Sequence, residues 1–120
     1  MGISDLLTSL GQHLLEPEFL ISAVTVMELE HGWHRATTEG IRTERRRYLA
    51  ELSAVIPVQP FDAEIARLAA GVDAALRKAG TVVATADLMI GSTALFYGYA
   101  IGTQNMRHFE RIPGLSVVKI

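Results

Sequence analysis

The sequence predicts an α/β fold in which a parallel sheet is covered by helices on both faces. Short apolar runs that suit buried strands alternate with amphipathic segments that suit helices, and proline, glycine or polar residues separate them. The chain of 120 residues is 49% hydrophobic and 20% charged, which is enough apolar material for one core. We therefore expect residues 1–120 to form a single domain.

Three elements are expected before the middle of the chain. Apolar residues at three- and four-residue spacing predict a helix over Ile3–Leu15, and Pro17 ends it. Phe19–Ile21 is a closely bounded apolar run and predicts a buried strand. Helical spacing returns over Val24–Ala36, which predicts a second helix that ends in a polar, glycine-containing segment.

The next segments predict a third helix and an edge strand. Ile41–Val55 carries apolar residues at helical spacing together with four of the nine arginines of the chain. Val55–Val58 is consistent with a second strand, and Pro57 favours the edge or the end of a strand because proline cannot donate to the ladder.

The last third of the chain predicts two helices and two strands. Asp62 is a typical N-cap, and the apolar stripe that follows it predicts a long helix ending at Gly80. Another helix is predicted over Ala86–Tyr97. Tyr99–Gly102 and Leu115–Val118 are then short apolar strands separated by a polar turn.

Composition excludes several classes of function. The chain has no cysteine, which excludes disulfides, cysteine-ligated zinc and a thiol nucleophile. Glycine-rich nucleotide loops, the Gly-x-Ser-x-Gly elbow and the His-Glu-x-x-His zinc motif are also missing from the sequence. No apolar stretch approaches the ~20 residues needed to span a bilayer, and the first ten residues do not resemble a signal peptide. We therefore expect a cytoplasmic protein without a membrane partner.

Polar side chains follow the predicted strands where ligands bind in parallel sheets. Thr25 and Glu28 come after the first strand, Asp87 opens a later helix, and Thr103 and Asn105 follow the third strand. Ligands sit outside the carboxyl ends of such strands, so these side chains are expected to converge. Two carboxylates with amide and hydroxyl support suit Mg²⁺ or Mn²⁺, because these ions prefer oxygen ligands. The pattern predicts a metal-dependent phosphoryl hydrolase.

Each of these residues also has a structural alternative. Glu28 could complete a capping box with Thr25, and Asp87 could be a first-turn carboxylate favoured by the helix dipole. Thr103 and Asn105 could be ordinary turn residues. A di-iron site built on Glu28 and the histidine three residues later is disfavoured, because that chemistry needs a second such unit.

A basic segment lies beside these candidates. Five arginines stand against two glutamates between residues 35 and 47, on a chain with a net charge of −2. Such clusters are commonly solvated helix faces, but this one could also neutralise the phosphates of a nucleic acid held next to the carboxylates.

Four segments, taken in order, resemble PIN-domain toxins of the VapC type; they are Ile21–Gly32, Ile56–Asp62, Ala86–Ala94 and Thr103–Phe109 with the Pro113-Gly114-Leu115 that follows. The resemblance implies a PIN-like parallel sheet of five strands, a Mg²⁺- or Mn²⁺-dependent endoribonuclease and a homodimer. It also implies a type II toxin-antitoxin system with a cognate VapB-type antitoxin.

Residue roles follow from the same resemblance. Glu28 and Asp87 correspond to acidic metal-binding residues of the family, and Asn105 stands at its polar site after the fourth strand. In this interpretation Asn105 is a catalytic residue together with Glu28 and Asp87, and Thr25 and Thr103 support the site by binding the substrate. Arg35, Arg107 or the Arg42–Arg47 cluster would hold the RNA.

The chain departs from the family pattern in two places. His108 stands where many relatives carry aspartate, and no segment before Ile3 resembles the first strand, which ends in a metal-binding Asp. In the family that strand lies in the middle of the sheet, so its neighbours are expected to be left without a partner. We expect weak or no activity unless the first ligand is supplied. The alternative is a non-catalytic remnant or binding module that keeps the dimer and antitoxin surfaces.

Overall fold

A computed structural model describes residues 19–120, and the predicted helix over Ile3–Leu15 lies outside this range. In chain order the elements are β1 (Phe19–Ser22), α1 (Ala23–His34), α2 (Glu39–Val55), β2 (Val58–Gln59), α3 (Ala63–Lys78), α4 (Thr85–Tyr97), β3 (Ala100–Thr103), a 3-10 turn (Met106–Phe109) and β4 (Val117–Lys119). Strands and helices therefore alternate as the sequence predicts. Within residues 19–120, no helix has the length and apolar character needed to cross a membrane.

The four strands form one parallel sheet in the order β2-β1-β3-β4. The predicted α/β class is confirmed. β2 lies at one edge, as Pro57 predicts, and the backbone N–H of Ile21 donates to the Pro57 carbonyl at 3.0 Å. The predicted strand over Val55–Val58 is wrong in its first half. Val55 is the last residue of α2, and the N–H of Ile56 still donates to the Leu52 carbonyl at 2.9 Å.

The two inner strands of the sheet are hydrogen-bonded to each other. β1 pairs directly with β3, with Phe19 opposite Ala100 and Leu20 opposite Ile101. The expectation that two inner strands are left without a partner is therefore wrong for the described residues, whose sheet has four strands. Direct pairing satisfies backbone groups that would otherwise be buried at a cost of about 1–3 kcal/mol each.

Helices cover both faces of this sheet, as predicted. Successive strand residues point to opposite faces, so Leu20 and Ile101 pack in one core with Ile90 of α4. Phe19, on the opposite face, packs in a second core with Leu52 of α2. The two cores hold the carboxyl ends of β1 and β3 side by side.

Helix caps explain where the elements around the site begin and end. The Ser22 hydroxyl accepts from the N–H of Val24 at 3.1 Å, so Ser22 is the N-cap of α1. The alternative in which Glu28 completes a capping box with Thr25 is therefore wrong, because Thr25 already lies inside the helix. Asp62 caps α3 as predicted, accepting from the N–H of Ile65 at 3.0 Å. Gly80 follows that helix with φ +83°, a conformation that favours glycine.

Candidate functional site

The sequence-predicted polar residues converge at the carboxyl ends of β1 and β3. Because these strands are parallel neighbours, the start of α1 and the turn after β3 lie at the same edge of the sheet. The first turn of α4 closes the third side. A cavity of about 160 Å³ lies between these elements, lined by Thr25, Glu28, Leu29, Asp87, Thr103, Gln104, Asn105, His108 and Phe109.

Two carboxylates share this cavity. Asp87 lies in the first turn of α4, and its side chain is 13% exposed, whereas Glu28 lies on the more exposed side of α1. Burial raises the pKa of Glu28 above its ordinary value, the negative charge of Asp87 raises it further, and His108 and His31 lower it. The two carboxylates therefore repel one another, and a bound cation would relieve that repulsion.

His108 links Asp87 to the turn after β3. Its Nδ1 lies 3.3 Å from Oδ1 of Asp87, and its Nε2 lies 2.8 Å from Nδ2 of Asn105. Both ring nitrogens are therefore held by polar neighbours, although half of the side chain is exposed. His108 therefore faces the acidic site, which the sequence alone did not establish.

The two threonines have different environments. The Thr103 hydroxyl accepts from the N–H of Asn105 at 3.1 Å, so it shapes the turn that presents Asn105. Thr25 is 5% exposed, and its Oγ1 is buried without a hydrogen-bond partner among the described residues. An unpaired hydroxyl beside a polar cavity is available to a ligand or to a water bound there.

Two predicted RNA-binding arginines do not line this cavity. Arg35 follows α1, and its Nε donates to the carbonyl of His31 at 3.3 Å. Arg107 is exposed on the 3-10 turn. Neither arginine therefore lies beside the two carboxylates in this structure. An RNA bound in the cavity would have to extend beyond it to contact Arg35 or Arg107.

A second, larger cavity of about 500 Å³ adjoins the first and shares Glu28, Leu29 and Gln104 with it. Arg45 of α2 lines it and donates from Nη1 to the Gly32 carbonyl at 2.7 Å. Other arginines of the cluster are used elsewhere, since Arg42 pairs with Glu39 and Arg46 stacks over Trp33 at 4.7 Å.

Tyr48 of α2 also lines the larger cavity, and sequence reasoning did not identify it. Its hydroxyl is buried, which raises the pKa of Tyr48. The nearby Gln104 side chain offsets part of this rise, but the two groups do not reach hydrogen-bond geometry. Only the packing of α2 on α1 brings Tyr48 here, so no local motif could have found it.

The donors suit a hydrated divalent cation more than a closed metal cage. Within residues 19–120, no three His, Asp or Glu side chains are grouped closely enough to hold an ion by themselves. Mg²⁺ is commonly held by one or two carboxylates together with waters and substrate phosphates. Glu28 and Asp87, with the unpaired Thr25 hydroxyl beside them, match that type of site. His31 is exposed and lies outside the smaller cavity's lining, which gives no support to a di-iron site.

Comparison with known proteins gives a consistent result. The PIN domain profile matches residues 5–115. The chain is 29% identical over 100 residues to ribonuclease VapC1 of Rickettsia felis, covering 83% of this chain and 75% of the relative. It is 33% identical over 98 residues to the tRNA(fMet)-specific endonuclease VapC of Salmonella typhimurium, covering 81% and 71%.

Solved structures show the same fold. VapBC-5 from Mycobacterium tuberculosis matches with a TM-score of 0.71 at 26% identity, over 82% of this chain and 79% of that chain. VapBC2 from Rickettsia felis, solved with a DNA fragment from its promoter, matches with a TM-score of 0.74 at 20% identity, over 98% and 84%.

Proposed function

Because this chain belongs to the PIN-domain family, we propose that it is a VapC-type toxin, an endoribonuclease that hydrolyses RNA phosphodiester bonds with Mg²⁺ or Mn²⁺. The observation that carries the proposal is the meeting of Glu28 and Asp87, which lie far apart in the sequence, in one polar cavity. The ribonuclease names of its relatives support the same reaction.

Glu28 and Asp87 would hold the cation or its waters in this proposal. The ion, when bound, supplies positive charge that stabilises the negative charge developing on the scissile phosphate and makes a water easier to deprotonate. Glu28 would also accept a proton from a water held in the same cavity. Attack by water on phosphorus then forms one P–O bond while the bond to the leaving oxygen breaks.

Neighbouring side chains would position the substrate. Asn105, whose backbone is fixed by Thr103, can donate from its amide to a phosphate oxygen, and Thr25 offers an unpaired hydroxyl. Arg45 lies in the adjoining larger cavity, where a flanking phosphate could be neutralised. Arg35 and Arg107 would contact only more distant parts of the RNA.

We also propose that the chain acts as a homodimer in the cytoplasm and is neutralised by a VapB-type antitoxin. The structural neighbours from Rickettsia felis and Mycobacterium tuberculosis are VapBC assemblies, which supports this type of partner. Phe96 and Tyr97 at the end of α4 are exposed, and their rings contact each other edge to face with centroids 5.1 Å apart. Such an apolar surface supports self-association.

An RNA cleavage assay tests the reaction. We expect the wild-type chain to cut RNA weakly in Mg²⁺ or Mn²⁺ and not at all in EDTA, and Asp87→Asn and Glu28→Gln to abolish cutting while the circular dichroism spectrum is kept. Ser92→Ala is the matched control, because Ser92 is buried on α4 but lies outside the cavity lining. Cleavage retained by both carboxylate variants would reject this site.

The non-catalytic binding module remains the second candidate, because the described residues include no group of three metal-ligating side chains. Calorimetric titration with Mn²⁺ separates the two proposals. The enzyme requires a binding site that is lost in Asp87→Asn, whereas the binding module requires none.

A further inference from the structure

We propose that His108 is itself a metal ligand through Nδ1, next to Asp87, and that this nitrogen makes the site prefer Mn²⁺ over Mg²⁺. The inference rests on the proposed function, because it concerns the same metal site. It assigns a role to the residue that departs from the family pattern.

The first step is the spacing of the two donors. Nδ1 of His108 lies 3.3 Å from Oδ1 of Asp87. Adjacent ligands of an octahedral ion with bonds of about 2.1 Å are separated by about 3 Å, so this spacing is that of two neighbouring ligands. Glu28 then acts through a bound water, which agrees with the lack of a three-residue cluster among the described residues.

The second step is the orientation of the imidazole ring. Nε2 of His108 lies 2.8 Å from the Asn105 amide. Turning an asparagine amide by 180° exchanges its oxygen and nitrogen, so Asn105 can present its carbonyl oxygen to the ring. Nε2–H then donates to Asn105, and the lone pair on Nδ1 is left to face the cation. Ligating histidines commonly have such an outer partner, which fixes the tautomer.

The third step is the preference of a nitrogen ligand for Mn²⁺ over Mg²⁺. Mg²⁺ strongly favours oxygen ligands, whereas first-row transition ions such as Mn²⁺ also accept imidazole. A neutral imidazole also adds no third negative charge beside Glu28 and Asp87, which already repel one another. The buried, unpaired Thr25 hydroxyl at the same cavity is a separate sign that a ligand or its water belongs there.

Electron paramagnetic resonance on the full chain loaded with Mn²⁺ gives a direct readout. We expect electron spin echo modulation from a coordinated ¹⁴N nucleus, and its replacement by a ¹⁵N pattern when the protein is made with ¹⁵N-histidine. This measurement needs no substitution, so it does not depend on whether a variant folds. Mn²⁺ bound without nitrogen coupling would overturn the role of His108 and leave the proposed metal site intact.

Two variants of His108 test whether the nitrogen signal comes from this residue and whether it sets the preference for Mn²⁺ over Mg²⁺. His108→Ala should remove the ¹⁴N modulation and weaken Mn²⁺ binding by roughly tenfold or more. His108→Asp should lower the ratio of Mn²⁺ to Mg²⁺ affinity by about tenfold, because it restores an oxygen ligand. His34→Asp is the matched control, because His34 is exposed on α1 and stacks on Trp33 at 3.7 Å instead of lining the cavity.

Different outcomes would overturn the role of His108 and the proposed function of the metal site. Tighter Mn²⁺ binding by His108→Ala would mean that the imidazole competes with the ion for Asp87, and would overturn the inference. Failure of the wild-type chain and Asp87→Asn alike to bind Mn²⁺ would instead overturn the proposed function, together with everything that rests on it.

Discussion

Replacing Thr25 with valine should stabilise the protein while impairing its site. Thr25 is 5% exposed, and its hydroxyl has no hydrogen-bond partner among the described residues. An unsatisfied buried polar group costs about 1–3 kcal/mol, and valine replaces the hydroxyl with a methyl group of similar size. Valine and threonine have similar helix propensities, so α1 should be unaffected. We expect the free energy of unfolding to rise by about 1 kcal/mol.

Thermal unfolding and metal-dependent cleavage measure the two effects. For a domain of this length, a gain of about 1 kcal/mol raises Tm by roughly 4 °C. If the hydroxyl serves a bound water or phosphate, its loss removes one hydrogen bond of about 0.5–1.5 kcal/mol, which is a decrease in rate of roughly two- to tenfold. Thermal unfolding should be measured in EDTA, where no ion is bound beside the hydroxyl, and cleavage should be measured in Mg²⁺ or Mn²⁺.

Ser92→Ala is the control for this prediction. Ser92 is fully buried on α4 with an equally unpaired hydroxyl, but it does not line the cavity. Its replacement should leave the cleavage rate unchanged. A lower Tm for Thr25→Val would show that the hydroxyl has a stabilising partner, and an unchanged cleavage rate would show that the site does not use it. Either result would refute the reasoning.

Three further predictions test the charge of Glu28, the contact between Asn105 and His108, and the start of helix α3. Because the pKa of Glu28 is raised in the folded state, its contribution to stability is fully present below its ordinary pKa near 4.5 and is lost as the pH rises through the raised value. In urea unfolding in EDTA, the free energy of unfolding of Glu28→Gln should therefore equal that of the wild type at pH 4 and be larger at pH 7. Asn105→Ala should weaken Mn²⁺ binding by roughly tenfold in calorimetry, because Nε2 of His108 loses its partner. Asp62→Ala should reduce the free energy of unfolding by about 1 kcal/mol, since the N–H of Ile65 loses its cap, whereas Glu64→Ala on the same helix should have a smaller effect.

Local sequence patterns predicted most of the helices and strands, because apolar runs, helix caps and glycine stops depend only on residues close together in the chain. The apolar run at Phe19–Ile21, the cap at Asp62 and the stop at Gly80 all appear where the sequence places them. The sequence leaves the cap of α1 open because Ser22 and Thr25 both have hydroxyls, and only the backbone decides which one precedes the first turn. The direct pairing of β1 with β3 is a long-range property that no local pattern reveals.

The sequence predicted which types of residue form the candidate site, but it did not predict all of their positions relative to one another. Placement of Glu28 and Asn105 near one another follows from the rule that ligand sites form at the carboxyl ends of parallel strands. Asp87 follows helix α3 and a loop, so only the packing of α4 brings it to the same cavity. The approach of His108 to Asp87 depends on how the 3-10 turn folds back, and the position of Tyr48 depends on helix packing. The arginines were the least predictable, because long flexible side chains on exposed helices have many alternatives.

The direct pairing of β1 with β3 also sets the width of the site. Neighbouring strands are about 4.8 Å apart, so the residues that continue from these two strands begin a single ladder step from each other. A strand inserted between them would double that separation to roughly 9.6 Å and draw the α1 residues away from the turn that carries Asn105. The order of the strands in the sheet therefore sets the distance between the α1 side chains and the Asn105 turn across the candidate site.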